Sequence, residues 1–157
     1  MFLMLNKILQ NKNGVFLSAL AVVLLFGLYL RISNFINIPD LYGDEASLAF
    51  NLFDRNITGY FLPLDFSQAA PPLFLVFTKF ITLFVSDFEY SLRVIPFLAS
   101  ILSIFGFYFL SSKFFSKKAS IIAACAFFAL HPKLIAFSCV FKQYSLDVLI
   151  YVLILIS

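Results

Sequence analysis

Pro71 to Val85, PPLFLVFTKFITLFV, is the stretch on which the topology of this chain turns. Its apolar part, Leu73 to Val85, runs for about 13 residues and carries Lys79 near its centre. A helix needs about 20 apolar residues to cross the roughly 30 Å hydrocarbon core of a bilayer. This one is too short and suits a helix lying in the interface, its lysine stem along the apolar surface and its ammonium in water. The neighbouring charges supply a second test. Val94 to Leu110 reads as a full span and is followed by Lys113, Lys117 and Lys118, the most basic cluster in the chain. If Leu73 to Val85 crossed, that cluster would face outward; if it lies flat, the cluster shares a face with Lys7 and Lys12, which precede the first apolar run. Lysine accumulates on the cytoplasmic side, which selects the flat helix and a cytoplasmic N-terminus.

Composition agrees with a chain made for lipid. Of its 157 residues, 62% are hydrophobic and 23 are Phe, against roughly 45–50% apolar in soluble domains. The expected fold class is all-α: an integral membrane helical bundle forming one domain over 1–157, with spans at about 14–31, 94–111, 119–135 and 147–157. An outer loop, 32–92, is expected to hold amphipathic helices at about 44–55 and 72–86. In the first of these, Leu48, Ala49, Leu52 and Phe53 fall on one side and Ser47, Asn51, Asp54 and Arg55 on the other. No small-x-small cleavage pattern follows the first run, so it reads as a retained helix and not a signal peptide. The last run amounts to about half a span, and the expectation is an N-terminal portion of a longer protein, whose remainder would be a partner if made as a separate chain. A net charge of +3 is small and argues against a nucleic-acid partner. Cys125 and Cys139 form no CxxC pattern, so they indicate neither a disulfide framework nor a zinc site. The expected location is a bacterial plasma membrane, crossed several times; the many Lys, Asn, Phe and Ile residues suit an AT-rich bacterial genome.

In so apolar a chain the adjacent acids of LYGDEASLAFNL, Asp44 and Glu45 within 41–52, need a reason, because carboxylates next to a membrane carry a desolvation cost. They have two readings. Asp44 as N-cap and Glu45 in the first turn would suit a helix start, where unpaired N–H groups and the helix dipole favour acids. Alternatively, one of them is a general base at the membrane surface. The topology puts Arg93, Lys142 and Asp147 on the same outer face, and charges converging at membrane depth are functional candidates. Two carboxylates and two cations suit a reaction at a lipid-linked phosphate: an acid takes a proton from an acceptor hydroxyl while cations or a metal steady the departing phosphate. The plainer alternatives are a snorkelling flank for Arg93 and a helix-start pair for Lys142 and Asp147. Lys79 reads as a snorkelling lysine, His131 beside Pro132 as an interfacial residue, and Tyr144 as part of an aromatic belt.

Four motifs in order carry a resemblance: Gly43-Asp44-Glu45-Ala46, Pro71-Pro72-Leu73, Tyr90-Ser91-Leu92-Arg93 and Lys142-Gln143-Tyr144-Ser145-Leu146-Asp147. With this spacing the chain resembles the polytopic GT-C glycosyltransferases, in particular the protein O-mannosyltransferases, the aminoarabinose transferase of lipid A and related bacterial mannosyltransferase-like membrane proteins. The resemblance implies inverting transfer of a sugar from a polyprenyl-phosphate donor to a hydroxyl acceptor on the outer face. It implies Asp44 and Glu45 as the catalytic pair, with Asp44 the general base, Arg93 and Lys142 as ligands of the substrate phosphate, and Asp147 as shaping a phosphate or metal site. Membrane lipid, the donor and the acceptor are the implied partners, and a divalent metal ion is the one cofactor it leaves open. The sequence departs from the family at Ala70, where relatives often carry His or Lys, at Lys142, where Arg is usual and its bidentate fork is lost, and in length. A non-catalytic membrane protein, binding a lipid or a partner, is the rival reading. A transporter is third: a buried carboxylate within a span or a broken-helix pair would favour it, and the sequence reads as neither.

Overall fold

A computed structural model describes residues 2–37 and 40–157, with side chains from residue 13 onward. The side chains of Lys7 and Lys12, expected at the inner face, fall outside it. Every regular element among the described residues is helical: α1 (Phe2–Ile36), α2 (Asp44–Asp54), α3 (Pro72–Ile81), α4 (Phe88–Phe114), α5 (Lys118–Ala129), α6 (Pro132–Phe137) and α7 (Tyr144–Ile156), with a 3₁₀ turn at Ile57–Phe61. Two stretches, Asn13–Ile36 and Phe88–Phe114, are long and apolar enough to cross a membrane. α3, α5 and α7 are apolar but have only 10, 12 and 13 residues. At 1.5 Å per residue they measure about 15–20 Å, short of a ~30 Å core.

Two expected helices differ in extent. The one over 119–135 is broken at Leu130–His131: α5 ends at Ala129, and His131 is extended (φ −65°, ψ 120°) ahead of Pro132. Proline has no N–H to continue a helix and its ring pushes the preceding residue out of the helical region. The helix over 72–86 stops at Ile81, and residues 82–84 leave it in turns.

α4 is the element on which the others assemble. α7 packs along it, α3 and α5 flank it, and α1 lies against both α5 and α4. Small residues let the backbones approach: a Cβ on Gly27 would sit 2.8 Å from Ala129 Cβ, and one on Gly106 would sit 2.9 Å from Val152 Cγ1. Where α1, α4 and α5 meet, the fully buried Arg31 donates from Nε to Ser100 Oγ (2.7 Å) and from Nη1 to the carbonyls of Gly27 (3.0 Å) and Ala129 (2.7 Å). The Ala129 carbonyl belongs to the last turn of α5, which has no intrahelical donor left, so the guanidinium meets the negative end of that helix.

A separate core holds α2 against the head of α4. Leu48, Leu52, Tyr60, Phe74, Leu75, Leu92 and Phe141 are buried together there. Each such side chain contributes about 1.5–3 kcal/mol by leaving water. The α2 faces differ from the expected ones at two positions. Asn51 is fully buried, its amide accepting from the Asp65 N–H (2.8 Å) and donating to the Asp65 carbonyl (3.2 Å). Phe53 faces out, beneath the Lys79 ammonium, which lies 4.4 Å from its ring centroid. A buried amide is tolerated because both its ends are bonded.

Candidate functional site

The site begins at the start of α2. Gly43, at φ 51°, ψ −110°, is the N-cap residue and offers no side chain to the helix. Positive φ suits glycine, which has no Cβ to clash. Asp44 is therefore the first helical residue and not the cap, which corrects one half of the helix-start reading; Glu45 does fall in the first turn, as the other half expects. A helix advances about 100° per residue, so the two acids diverge. Asp44 is exposed to solvent, whereas Glu45 turns inward.

Glu45 is fully engaged. Its Oε1 accepts from the Phe141 N–H (2.5 Å) and Arg93 Nε (3.3 Å), and its Oε2 from Arg93 Nη2 (3.2 Å). The Arg93 side chain has no exposed surface and also faces Glu89, one helical turn earlier, at 3.7 Å. This departs from the expectation of a phosphate-binding arginine: Arg93 is buried and its charge is met by two carboxylates, so an incoming phosphate would have to displace them. Glu45 likewise departs from the role of a catalytic partner to Asp44. Its oxygens tie α2 to α4 and to the segment ahead of α7.

Asp44 and Lys142 are brought together through a residue that the sequence reading passed over. The Lys142 Nζ donates to Gln68 Oε1 at 2.5 Å, and Gln68 Nε2 donates to Asp44 Oδ1 at 3.5 Å and to the Phe66 carbonyl at 3.2 Å. Lys142 is 7% exposed, and among the described residues no carboxylate pairs with it. Among the described residues its charge is met by the neutral amide of Gln68. A second cation so placed is a ready receiver for an anionic oxygen.

Asp147 lies apart. It lines a groove of about 480 Å³ with Pro71, Phe74, Phe77, Ile95 and Ile150, and no hydrogen bond or ion pair joins its side chain to Asp44, Arg93 or Lys142 among the described residues. No group of three or more His, Cys, Asp or Glu side chains able to hold a metal occurs among the described residues. Asp147 is thus not part of an acidic metal cluster there. Burial pushes the Cys139 thiol up from its ordinary range.

Protein-family models, curated proteins and solved structures offer no match to this chain.

The remaining candidates sit in structural roles. Lys79 donates to the Leu52 carbonyl (3.4 Å) in the last turn of α2. His131 precedes α6 with its ring edge-on to Phe127, 5.6 Å between centroids, and Tyr144 packs on Phe137 at 4.8 Å. Gln68, Arg31 and the Phe141 N–H were missed by sequence reasoning. Arg31 carried a signal, a cation inside an apolar helix; Gln68, in a polar loop, carried none.

Proposed function

We propose that the chain carries the acceptor-activating site of a membrane glycosyltransferase, one that moves a sugar from a polyprenyl-phosphate donor to a hydroxyl acceptor at the outer face of a plasma membrane, with inversion. The observation that supports it best is the exposed Asp44 carboxylate one glutamine side chain away from Lys142, a cation that pairs with no carboxylate among the described residues. In this reading Asp44 takes the proton of the acceptor hydroxyl as that oxygen attacks the anomeric carbon. The bond from that carbon to the phosphate oxygen breaks with its electron pair on the phosphate, whose charge Lys142 meets. Glu45 and Arg93 hold the base in place by fixing α2 to α4. The four ordered motifs add support, as do the two helices of spanning length.

The test is Asp44→Asn, assayed for transfer from a panel of polyprenyl-phosphate sugars. Gly43 already caps α2, so asparagine removes a favourable charge from the first turn, worth about 0.3–1 kcal/mol, and leaves the fold intact. Loss of a general base lowers the rate about 10²–10⁴-fold. Near-normal transfer by Asp44→Asn would end the proposal. The topology is checked by placing single cysteines at the exposed positions 62 and 116: an impermeant reagent added outside reaches position 62 only, and modification at 116 would invert the arrangement.

The apolar groove beside Asp147 favours a second reading, a non-catalytic subunit that binds lipid or a partner there. Tyr151 and Ile154, further along α7, are largely exposed. Transfer by wild type that Asp44→Asn abolishes discards this reading.

A further inference from the structure

The segment that carries Gln68 is held at one end and strained in the middle. Asp65 is fixed by three contacts: its backbone exchanges both hydrogen bonds with the buried Asn51 amide, and its carboxylate takes the Arg55 guanidinium at 2.7 Å. At the far end Pro71 and Pro72 open α3. Between these anchors Phe66 and Ser67 stand consecutively in the left-handed region, at φ 57° and 55°, and neither is glycine. Such conformations persist where surrounding contacts hold them, and they gather at sites that switch. The Phe66 ring packs edge-on to Phe50, 5.3 Å between centroids, and the polar contacts that hold the strained turn are those of the residue after it. Gln68 N–H donates to the Asp65 carbonyl at 3.2 Å, and its side chain spans Lys142, Asp44 and the Phe66 carbonyl.

We propose that Gln68 is the resting occupant of an anion site on Lys142, exchanged for a phosphate oxygen when the 66–68 turn relaxes. The inference rests on the reading of this site as one that handles a phosphate. A buried ammonium cannot be left without an acceptor, and the amide oxygen of Gln68 supplies one that is neutral and therefore weaker than the oxygen of a phosphate. Releasing Gln68 also frees Asp44 from the amide donor. One displacement thus readies the cation and the base together. Gln68 is a positioning residue: it acts through Lys142 and Asp44 and takes no part in bond making.

Binding distinguishes this from a structural role, because two changes at one residue are expected to act in opposite directions. The full chain in neutral detergent is titrated with farnesyl phosphate, inorganic phosphate and, as the uncharged control, farnesol. Gln68→Ala removes the competitor and is expected to bind farnesyl phosphate roughly 3- to 10-fold tighter than wild type. Gln68→Glu gives Lys142 a fixed carboxylate and is expected to bind about tenfold or more weaker. Lys142→Met loses the phosphate-dependent part, leaving an affinity no better than farnesol's. Ser67→Gly relieves strain only in the resting turn, so it raises thermal stability while weakening binding several-fold. If inorganic phosphate follows the same order, the headgroup alone suffices; if only farnesyl phosphate does, the hydrocarbon chain contributes, and either result supports the site. Weaker binding by Gln68→Ala, unchanged binding by Gln68→Glu or Lys142→Met, or Ser67→Gly that binds as well as wild type would overturn it. The transferase reading fails separately. This binding order without any sugar transfer keeps the anion site and removes the enzyme, whereas Asp44-dependent transfer without this order does the reverse.

Discussion

Arg31 and Arg93 are both fully buried, yet their surroundings answer the positive charge in different ways. Arg93 meets carboxylates, Glu45 and Glu89, which come from another helix and from one turn earlier on its own. Arg31 meets a hydroxyl and two backbone carbonyls, one of them at the C-terminus of α5. The first arrangement depends on long side chains finding each other and fails if either is removed. The second uses a helix end that exists wherever α5 exists. The ion pair therefore belongs to the half of the molecule where α2 must be positioned, and the dipole contact to the half where helices only pack.

The sharpest way to break this contrast is Arg93→Met. It strands Glu45 and Glu89, and removing one partner of a buried pair costs about 3–5 kcal/mol. Glu45 and Glu89 keep some exposure, so about 3 kcal/mol is expected from unfolding in detergent, and the double variant Arg93→Met/Glu45→Gln should regain part of it. A double variant no more stable than the single would show that the pair is not coupled. Arg31→Met leaves carbonyls and no charge behind. The expected loss is smaller, about 1–3 kcal/mol for the unsatisfied acceptors, and a loss above that of Arg93→Met would reverse the comparison.

Gly27→Val tests whether the Arg31 contact depends on the close helix crossing. Its Cβ would overlap Ala129, and overpacking of this kind costs about 1–3 kcal/mol. If the crossing is what brings the Ala129 carbonyl to Arg31, the losses in Gly27→Val and Arg31→Met are less than additive. The smallest effect is expected beside α2. Tyr60 is buried and its hydroxyl donates to the Leu52 carbonyl at 2.7 Å, so Tyr60→Phe loses about 1 kcal/mol. Burial also raises the Tyr60 phenol above its ordinary value of 10.0. The folded state then holds this proton where the unfolded chain releases it, so its contribution is complete below about pH 10 and declines as pH rises toward the folded value. That alkaline decline should be shallower in Tyr60→Phe, and an unchanged pH profile would remove tyrosine ionisation as its cause.

Much of this was legible before any coordinates. Runs of apolar residues with few breakers specify helices, because in apolar surroundings a helix satisfies its own backbone groups. The adjacent acids Asp44 and Glu45 mark the start of α2, although the cap is Gly43 and not the expected Asp44, and Pro71-Pro72 marks the start of α3. Lengths were less legible. The break between α5 and α6 follows from Pro132, whose effect local sequence announces without deciding whether the helix bends or ends.

What the sequence determined by itself is the helical class, the starts of α2, α3 and α5, and the short set of charges that an apolar chain has reason to keep. Those depend on residues within a turn or two of one another. Only the tertiary structure decided how the charges are used. Glu45 and Arg93 are 48 residues apart and Lys142 and Gln68 are 74 apart, so their pairing depends on which helix faces which, and no local periodicity encodes that. For the same reason Asp44 and Glu45, neighbours in sequence, have opposite fates. One step along a helix is about 100° of rotation, and the packing of α2 on α4 decides which of the two is turned inward to Arg93 and which is left in water.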